Sequence, residues 1–417
     1  MNFNFVCPFC YEGFSRDQIE FRCENPQSTT CRDNDALLGK YFGGAALPAG
    51  RIISNKSWRQ ALESKSLGGL FSKFTRLVAV PEQIRCDQCN YPSRKRICPK
   101  CHNELPSLFH QADSHIISVI GARDSGKTHY ITVLINELLQ KGHNLDIQTV
   151  PQDVGEDRTQ ITSKRYSDYY KKPLLGLKQQ LPQTQKNAKD LHPLIYQISS
   201  GQKQFGKAKA LYLVFYDTAG ENFNDREELK KLANYIVNSS GIIFLLDTFR
   251  IPHLNTTLKQ RVDISAIDTS FRDVFGSLHQ LLQEYGVLKL NSKCSIPIAL
   301  TFSKIDEVIK NDLLEDDIQE FTLRKESSYL RTKLYDENEI QEVSNDMRSL
   351  LTQWNEGGFI ADVEHSFSKT AYFGVSALGS TPVAGMLGHD VSPHRVMDPL
   401  MWILDNLGFA IPKKSKK

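Results

Sequence analysis

The sequence lacks a long apolar run and a dominant charge. Its 417 residues contain 51 Lys and Arg against 48 Asp and Glu, which leaves a formal net charge of +3. No apolar run approaches the roughly 20 residues that a membrane-spanning helix needs. The N-terminal MNFNFVCPFC has no basic region followed by an apolar one, as a secretory signal would. We therefore expect a cytoplasmic protein without a membrane span, and the overall charge indicates no class of partner.

Cysteine is nearly absent beyond residue 101, where only Cys294 remains. The other eight cysteines form two clusters, and in a cytoplasmic protein such cysteines are more often metal ligands than disulfides. A C-x-x-C turn places two thiolates on one side of a tight knuckle, and two such pairs complete a tetrahedral Zn²⁺ site. We expect one structural Zn²⁺ per cluster, with an interleaved set of the same thiols as the open alternative. The expected ligands are Cys7, Cys10, Cys23 and Cys31 in the first cluster and Cys86, Cys89, Cys98 and Cys101 in the second.

A short basic tract, Arg94-Lys95-Arg96, lies inside the second cluster. Such a tract is typical of a nucleic-acid contact or of a solvated loop in a small domain. Apart from Tyr91, no aromatic side chain nearby offers a base-stacking platform. We therefore favour the solvated loop over nucleic acid as a partner.

The stretch GARDSGKT fits the phosphate-binding pattern G-x-x-x-x-G-K-[ST]. An apolar run at 116–120 predicts a buried strand before it, and apolar residues at helical spacing predict a helix after it. The two glycines let backbone N–H groups face a phosphate chain. The lysine reaches the β- and γ-phosphates, and the threonine hydroxyl ligates Mg²⁺. The predicted phosphate-binding residues are Gly121, Arg123, Asp124, Ser125, Gly126, Lys127 and Thr128.

Further predicted strands end in polar motifs. The run 210–216 leads into DTAGE, in which Asp217 is placed to hold Mg²⁺ and the Gly220 N–H to bond a γ-phosphate. Runs at 296–302 and 371–375 lead into SKID and SAL. Alternating strands and helices predict a mostly parallel sheet with helices on both faces, and ligands bind such sheets at the carboxyl ends of the strands. The polar stretch 307–360 is expected to be helical and exposed.

The ordered set GARDSGKT, DTAGE, SKID and SAL resembles the motif series of the P-loop GTPases of the translation-factor-related class, over about residues 110 to 410. The resemblance implies that Lys304 packs its stem over a guanine base and that Asp306 accepts hydrogen bonds from guanine N1 and N2. It implies that the backbone of Ser376 and Ala377 contacts O6. The expected ligands are therefore GTP or GDP with Mg²⁺.

Several positions depart from that pattern. Ser303 stands in place of Asn or Thr, which predicts a weaker tie to the phosphate loop. Glu221 replaces the usual Gln or His, so it either acts as a base or repels the γ-phosphate. Arg123 is a candidate cis arginine finger, although a solvent-facing or partner-facing role is favoured. For the switch I threonine we select Thr184 over Thr159 and Thr162.

The expected organisation is a zinc-ribbon-like module (1–38), an elaborated linker (39–80), a second zinc ribbon (81–106) and a P-loop GTPase domain (107–417). The last contains a long switch I insertion at about 143–190. The ribbons, the LPQT loop and the PHRVMDPLMWIL helix further resemble the bacterial double-GTPase group of conflict and defence systems, which implies a second protein, such as another GTPase, as partner.

We expect a regulatory switch that hydrolyses GTP slowly without its partner and whose zinc ribbons dock that partner. Two alternatives remain open. One is a scaffold that keeps its nucleotide without hydrolysing it. The other is a zinc-ribbon nucleic-acid binder gated by the GTPase domain.

Overall fold

The computed structural model describes residues 5–42, 44–54, 56, 80–106, 109, 115–121, 125–141, 145–149, 161–182, 193–200, 210–215, 233–258, 271–310, 321–409 and 411–414. Within these ranges, no helix is long and apolar enough to cross a bilayer. Most of the predicted linker, 57–79, lies outside the described residues.

The described residues of the N-terminal part, here called the cysteine unit (within 5–106), form short strands and the helix α1. Its elements are β1 (Phe5–Val6), β2 (Gly13–Phe14), β3 (Glu20–Arg22), β4 (Arg32–Asp35), α1 (Ala36–Tyr41), β5 (Leu47–Gly50), β6 (Ile52–Ile53), β7 (Ile84–Arg85), β8 (Pro92–Ser93) and β9 (Arg96–Ile97). Strand β3 pairs antiparallel with both β6 and β9. The segments that carry the two cysteine clusters therefore share one small sheet.

The rest of the chain alternates strands and helices. These are β10 (Ile116–Gly121), α2 (Lys127–Lys141), β11 (Leu145–Thr149), α3 (Ile161–Arg165), a π-helical stretch (Tyr166–Gly176), β12 (Leu194–Ser200), β13 (Ala210–Phe215), β14 (Gly241–Asp247), α4 (Pro252–Leu258), α5 (Phe271–Glu284), β15 (Ile298–Ser303), α6 (Ile305–Lys310), α7 (Ser328–Thr332), α8 (Glu337–Gln353), α9 (Gly357–Ser366), β16 (Thr370–Gly374) and α10 (Asp398–Asn406). A further helical stretch covers 233–237.

Seven of these strands form one sheet in the order β11-β12-β13-β10-β14-β15-β16. Strands β13, β10, β14, β15 and β16 run parallel, whereas β12 is antiparallel to both β13 and β11. Every residue of β14 is buried, as expected for a central parallel strand covered by helices on both faces. The predicted α/β fold with a mostly parallel sheet is confirmed.

The prediction of an exposed helical region at 307–360 is wrong for its second half. Helices α8 and α9 are amphipathic, and each buries an apolar face. Two polar residues of α8, Glu339 and Ser344, are buried along with its apolar face. The buried apolar side chains are Ile340, Val343, Met347, Leu350, Leu351, Phe359, Ile360 and Val363.

The cysteine unit packs directly on the α/β unit. The ring centroids of Tyr11 and Tyr235 are 4.9 Å apart. Asn238 Nδ2 donates to the carbonyl oxygen of Tyr11 (3.0 Å), and Asn234 Nδ2 donates to Glu12 Oε1 (3.1 Å). The Tyr235 hydroxyl in turn accepts from a backbone N–H of β10 and donates to a backbone carbonyl of β13. The first cysteine knuckle is therefore in contact with the helix that follows the DTAGE segment.

Candidate functional site

The phosphate-binding stretch has the glycine geometry that its motif requires. Gly126 has φ +79°, a left-handed conformation that favours glycine. A Cβ on Gly121 would lie 2.5 Å from the carbonyl oxygen of Leu245, so no side chain fits there. Lys127 is buried and begins α2, whose N-terminal end favours anions. Arg123 and Asp124 lie outside the described residues, and their roles stay predictions.

Ser303 reaches the phosphate loop directly, and whether this tie is weaker than one made by Asn or Thr stays a prediction. Its Oγ lies 2.8 Å from the carbonyl oxygen of Ser125 and 3.1 Å from that of Leu246. Strand β14 separates β10 from β15, so the end of β15 lies close to the loop that follows β10. At that distance a short hydroxyl is sufficient, and the longer Asn of related proteins is not required.

Lys304 follows Ser303 with φ +61°. Its ammonium Nζ lies 2.7 Å from Asp247 Oδ2 and 5.0 Å from the ring centroid of Phe249. Asp306 is in the first turn of α6, and its Oδ2 lies 3.5 Å from Lys310 Nζ. The two residues predicted to contact guanine are therefore held at the carboxyl end of β15, beside the phosphate loop.

The predicted O6-contacting loop is bonded to the loop that follows β15. The Val375 N–H donates to the carbonyl oxygen of Phe302 (2.8 Å), and the Ile305 N–H donates to that of Val375 (3.2 Å). Ser376 forms a two-way backbone pair with His394 (3.0 and 2.8 Å), and its Oγ accepts from the Gly379 N–H (2.9 Å). Ser376 and Ala377 thus lie on a hydrogen-bonded loop that is joined through Val375 to Ile305, the residue between Lys304 and Asp306.

His129 is a site residue that the sequence motifs did not indicate. It follows Thr128, and its Nε2 accepts a hydrogen bond from the Leu181 N–H (3.1 Å). Burial and the positive charge of Lys304 lower the pKa of His129 to about 4, so the imidazole is neutral near pH 7. The contact connects the helix after the phosphate loop to the start of the LPQT segment.

The residues predicted to bind the γ-phosphate side, Asp217, Gly220, Glu221 and Thr184, lie outside the described residues. Strand β13, which leads toward Asp217, runs parallel to β10 with Ile116 opposite Tyr212. Both strands therefore point their carboxyl ends toward the same edge of the sheet.

The eight cysteines form two groups of four, but not one group per cluster. Ligand atoms within each group all lie within 4.8 Å of one another. The expected grouping by cluster is wrong, and the interleaved alternative is what the structure shows. The antiparallel pairing of β3 with β9 brings the two clusters alongside each other, so each site takes ligands from both. One group is Cys7, Cys10, Cys98 and Cys101, and the other is Cys23, Cys31, Cys86 and Cys89.

The three C-x-x-C turns have the same backbone geometry. The residue after each second cysteine, namely Tyr11, Asn90 or His102, has φ between 57° and 61°. Its N–H donates to the carbonyl oxygen of the first cysteine at 2.9 to 3.0 Å. Sulfur atoms also accept N–H groups, for example Cys7 Sγ from the Phe9 N–H (3.4 Å).

Burial raises the pKa of the Cys7 thiol well above its ordinary value. Four thiolates in such a place require a cation, and a set of four sulfur ligands at this spacing fits tetrahedral Zn²⁺.

The basic tract at 94–96 is only partly a solvated loop. Arg96 is buried, with its Nη2 2.7 Å from the carbonyl oxygen of Pro81 and its guanidinium over the Phe21 ring. Lys95 pairs with Glu104 at 3.2 Å. The tract contributes mainly to the packing of the cysteine unit.

The fold and the site together define a P-loop GTPase with an N-terminal unit that carries two four-cysteine sites. The chain belongs to the Double-GTPase 2 family, whose sequence profile matches residues 115–380. It is 26% identical over 423 residues to SaeC of Mycolicibacterium smegmatis, whose name carries a provisional assignment to ESX-1 scaffolding and assembly. That similarity covers 96% of this chain and 99% of SaeC.

Two solved GTPase structures are similar to this chain over most of their own length, with low TM-scores. The Arl6 (BBS3) small GTPase from Trypanosoma brucei, with bound GppNp, has a TM-score of 0.29 and 11% identity over 71% of this chain and 98% of its own. A nucleolar GTP-binding protein 1 from Plasmodium falciparum has a TM-score of 0.27 and 13% identity over 73% and 90%.

Proposed function

We propose that the protein is a regulatory switch that binds GTP with Mg²⁺, hydrolyses it slowly, and passes its nucleotide state to a protein partner. The observation that carries this proposal is the set of hydrogen bonds that joins the three loops of the site. The Ser303 hydroxyl connects the SKID loop to the phosphate loop. The Ile305 N–H, which donates to the carbonyl oxygen of Val375, connects the SKID loop to the start of the SAL loop. One ligand that carries both a base and a phosphate chain would contact all three.

On the phosphate side, Lys127 holds the β- and γ-phosphates, while Thr128 and Asp217 hold Mg²⁺. The ion neutralises charge that develops on the phosphates during transfer. The Gly220 N–H contacts the γ-phosphate. Once hydrolysis removes that phosphate, the contact is lost and the DTAGE segment is released. Thr184 is the switch I threonine that contacts Mg²⁺ and the γ-phosphate. Glu221 either acts as a base on the attacking water or repels the γ-phosphate and so slows hydrolysis. Arg123 faces the partner or supplies a positive charge in cis.

On the base side, Asp306 accepts from N1 and N2 of guanine. Adenine has no such pair of donors, so the carboxylate selects guanine. The Lys304 stem covers the base, and the Ser376 and Ala377 backbone contacts O6.

The cysteine unit is proposed to bind two structural Zn²⁺ ions, because four thiolates leave no open position for a substrate. Its contacts with Asn234, Tyr235 and Asn238 lie on the helix that follows the DTAGE loop. A change in that loop on hydrolysis would therefore reach the unit, which is how a partner docked there would sense the nucleotide.

The partner is proposed to be a second protein of a multi-component assembly. The similarity to SaeC supports a role in assembly rather than the defence role that the sequence resemblance implied, and a second GTPase is one candidate partner. Nucleic acid is disfavoured because Lys95 and Arg96 already have protein partners.

The first experiment is a titration of fluorescent GDP, GTP, XDP, ADP and ATP with Mg²⁺ against the wild type and the variants Asp306→Asn and Lys127→Ala. We expect strong guanine preference in the wild type, transfer of preference toward xanthine nucleotides in Asp306→Asn, and loss of all binding in Lys127→Ala. Equal binding of adenine nucleotides would overturn the guanine assignment and leave only a P-loop nucleotide site.

A non-hydrolysing scaffold is the second candidate, favoured by the carboxylate at Glu221. A single-turnover assay separates the two. If the wild type releases γ-phosphate and a Glu221→Gln substitution changes the rate of release, the result supports the switch. If the saturated wild type retains its γ-phosphate for hours, the result supports the scaffold.

A further inference from the structure

We propose that Asp247 is a positioning residue for the nucleotide, which acts by fixing the Lys304 side chain over the base. This role rests on the proposed guanine-nucleotide function. No motif of the GTPase series includes Asp247, although it ends a buried strand just as Asp217 follows one.

Asp247 uses its two carboxylate oxygens for two different tasks. Oδ1 accepts from the Phe249 N–H at 3.0 Å and so caps the short helical turn 248–250. Oδ2 lies 2.7 Å from Lys304 Nζ. The carboxylate side chain is only 7% exposed, and a charge that is this buried is costly unless it is paired.

The position of Asp247 follows from the sheet. Strands β14 and β15 are parallel neighbours, and Asp247 lies opposite Ser303, the residue before Lys304. The left-handed backbone at Lys304 turns the chain away from the strand direction. Its ammonium is in contact with the Asp247 carboxylate and lies over the Phe249 ring, 5.0 Å from the ring centroid.

This arrangement gives the lysine stem one orientation before a nucleotide arrives. A free lysine populates many rotamers, and ordering them on binding lowers affinity. His129 adds a reason for the carboxylate. Burial and the charge of Lys304 lower the pKa of its imidazole, which is therefore neutral near pH 7 and cannot balance that charge. Asp247 therefore supplies the negative charge that holds the stem in place.

The test uses Asp247→Asn, which separates the two tasks. The asparagine Oδ1 still caps the Phe249 N–H, and its amide nitrogen then faces the Lys304 ammonium and cannot accept from it. We expect GDP and GTP to dissociate about tenfold faster, as for the loss of a charged hydrogen bond. Guanine is still preferred over xanthine, because Asp306 is intact.

Asp336→Asn is the matched control. Asp336 caps α8 through Oδ1, which accepts from the Asn338 N–H, and its Oδ2 lies 2.7 Å from Lys414 Nζ. It therefore loses the same kind of bond outside the nucleotide site, and we expect dissociation rates within about twofold of wild type.

A double-mutant cycle with Lys304→Met identifies the route. If Asp247 acts through Lys304, adding Asp247→Asn to Lys304→Met changes the dissociation rate no further. An unchanged rate in the single Asp247→Asn variant, or an equal effect in both backgrounds, would overturn the positioning role while the guanine site stands. A wild type without guanine preference would overturn the proposed function itself, and the role of Asp247 with it.

Discussion

The hydroxyl of Ser303 lies 2.8 Å from the carbonyl oxygen of Ser125, and this bond joins the SKID loop to the phosphate loop. Ser303→Ala removes it and leaves a buried carbonyl without that donor. A neutral hydrogen bond contributes about 1 kcal/mol, so we expect GDP affinity to fall about fivefold. Equilibrium titration with a fluorescent GDP measures the change.

Two companion variants check this prediction. Ser303→Thr keeps the hydroxyl and should restore affinity. Ser277→Ala removes a similar bond, to the carbonyl oxygen of Asp273 on the exposed face of α5, and should leave affinity unchanged. Wild-type affinity in Ser303→Ala would show that the backbone alone joins the two loops.

The interleaved cysteine groups predict the outcome of paired substitutions. Cys10 and Cys98 belong to one group, with their sulfur atoms 3.9 Å apart. We expect Cys10→Ser, Cys98→Ser and the double variant each to retain about one zinc per chain, against about two in the wild type. Elemental analysis of the purified proteins gives the ratio.

Cys294→Ser is the control, because Cys294 is buried away from both groups and should keep both ions. If the double variant lost all its zinc while each single variant lost half, each ion would belong to one cluster, contrary to the structure.

His129 predicts a dependence of stability on pH. The pKa of its imidazole is about 4 in the folded protein and about 6.5 when unfolded. Between these values the unfolded state binds more protons, so the free energy of unfolding decreases as the pH falls from about 6.5 to about 4. His129→Gln retains an acceptor for the Leu181 N–H but does not titrate.

Urea denaturation at about pH 7 and about pH 5 measures the effect, and the variant should lose less stability between them than the wild type. The difference isolates His129, because the other histidines, such as His394 with a pKa that burial lowers, are present in both proteins. The exposed His389, changed to Gln, should behave as wild type. Equal losses in wild type and His129→Gln would contradict the low pKa.

Arg395, from the PHRVMDP stretch, predicts a large loss of stability. Its side chain is fully buried and lies 2.7 Å from Asp398 and 3.0 Å from Glu339. Arg395→Met leaves the buried Asp398 carboxylate without its cation and leaves Glu339 with only the more exposed Arg331. We expect the free energy of unfolding to fall by about 3–5 kcal/mol. Arg348→Met, which breaks the more exposed pair with Glu364, should cost about 1 kcal/mol or less. Similar small losses in both variants would show that the buried carboxylates are protonated or hydrated instead.

Much of the site follows from short stretches of sequence. The phosphate loop is recognisable because its two glycines and its Lys-Thr pair act at fixed local spacing, and the structure places a strand before it and a helix after it. The predicted strands at 116–120, 210–216, 296–302 and 371–375 are observed within a residue or two of those bounds, since their apolar patterns are strong. The roles of His129 and Asp247 were not predicted, because no short motif contains either residue.

By itself, then, the sequence determined the chemistry of this protein: a phosphate loop, a guanine-type motif series and eight cysteines spaced as metal ligands. The tertiary structure decided which groups meet. It paired β3 with β9 and so divided the thiols between two shared sites. It also placed β14 between β10 and β15, so that the short Ser303 side chain reaches the phosphate loop and Asp247 reaches Lys304. These contacts join residues that are 55 to 178 positions apart in the sequence. Contacts at such separations depend on which strands pair in the sheet and not on local spacing, so no short motif predicts them.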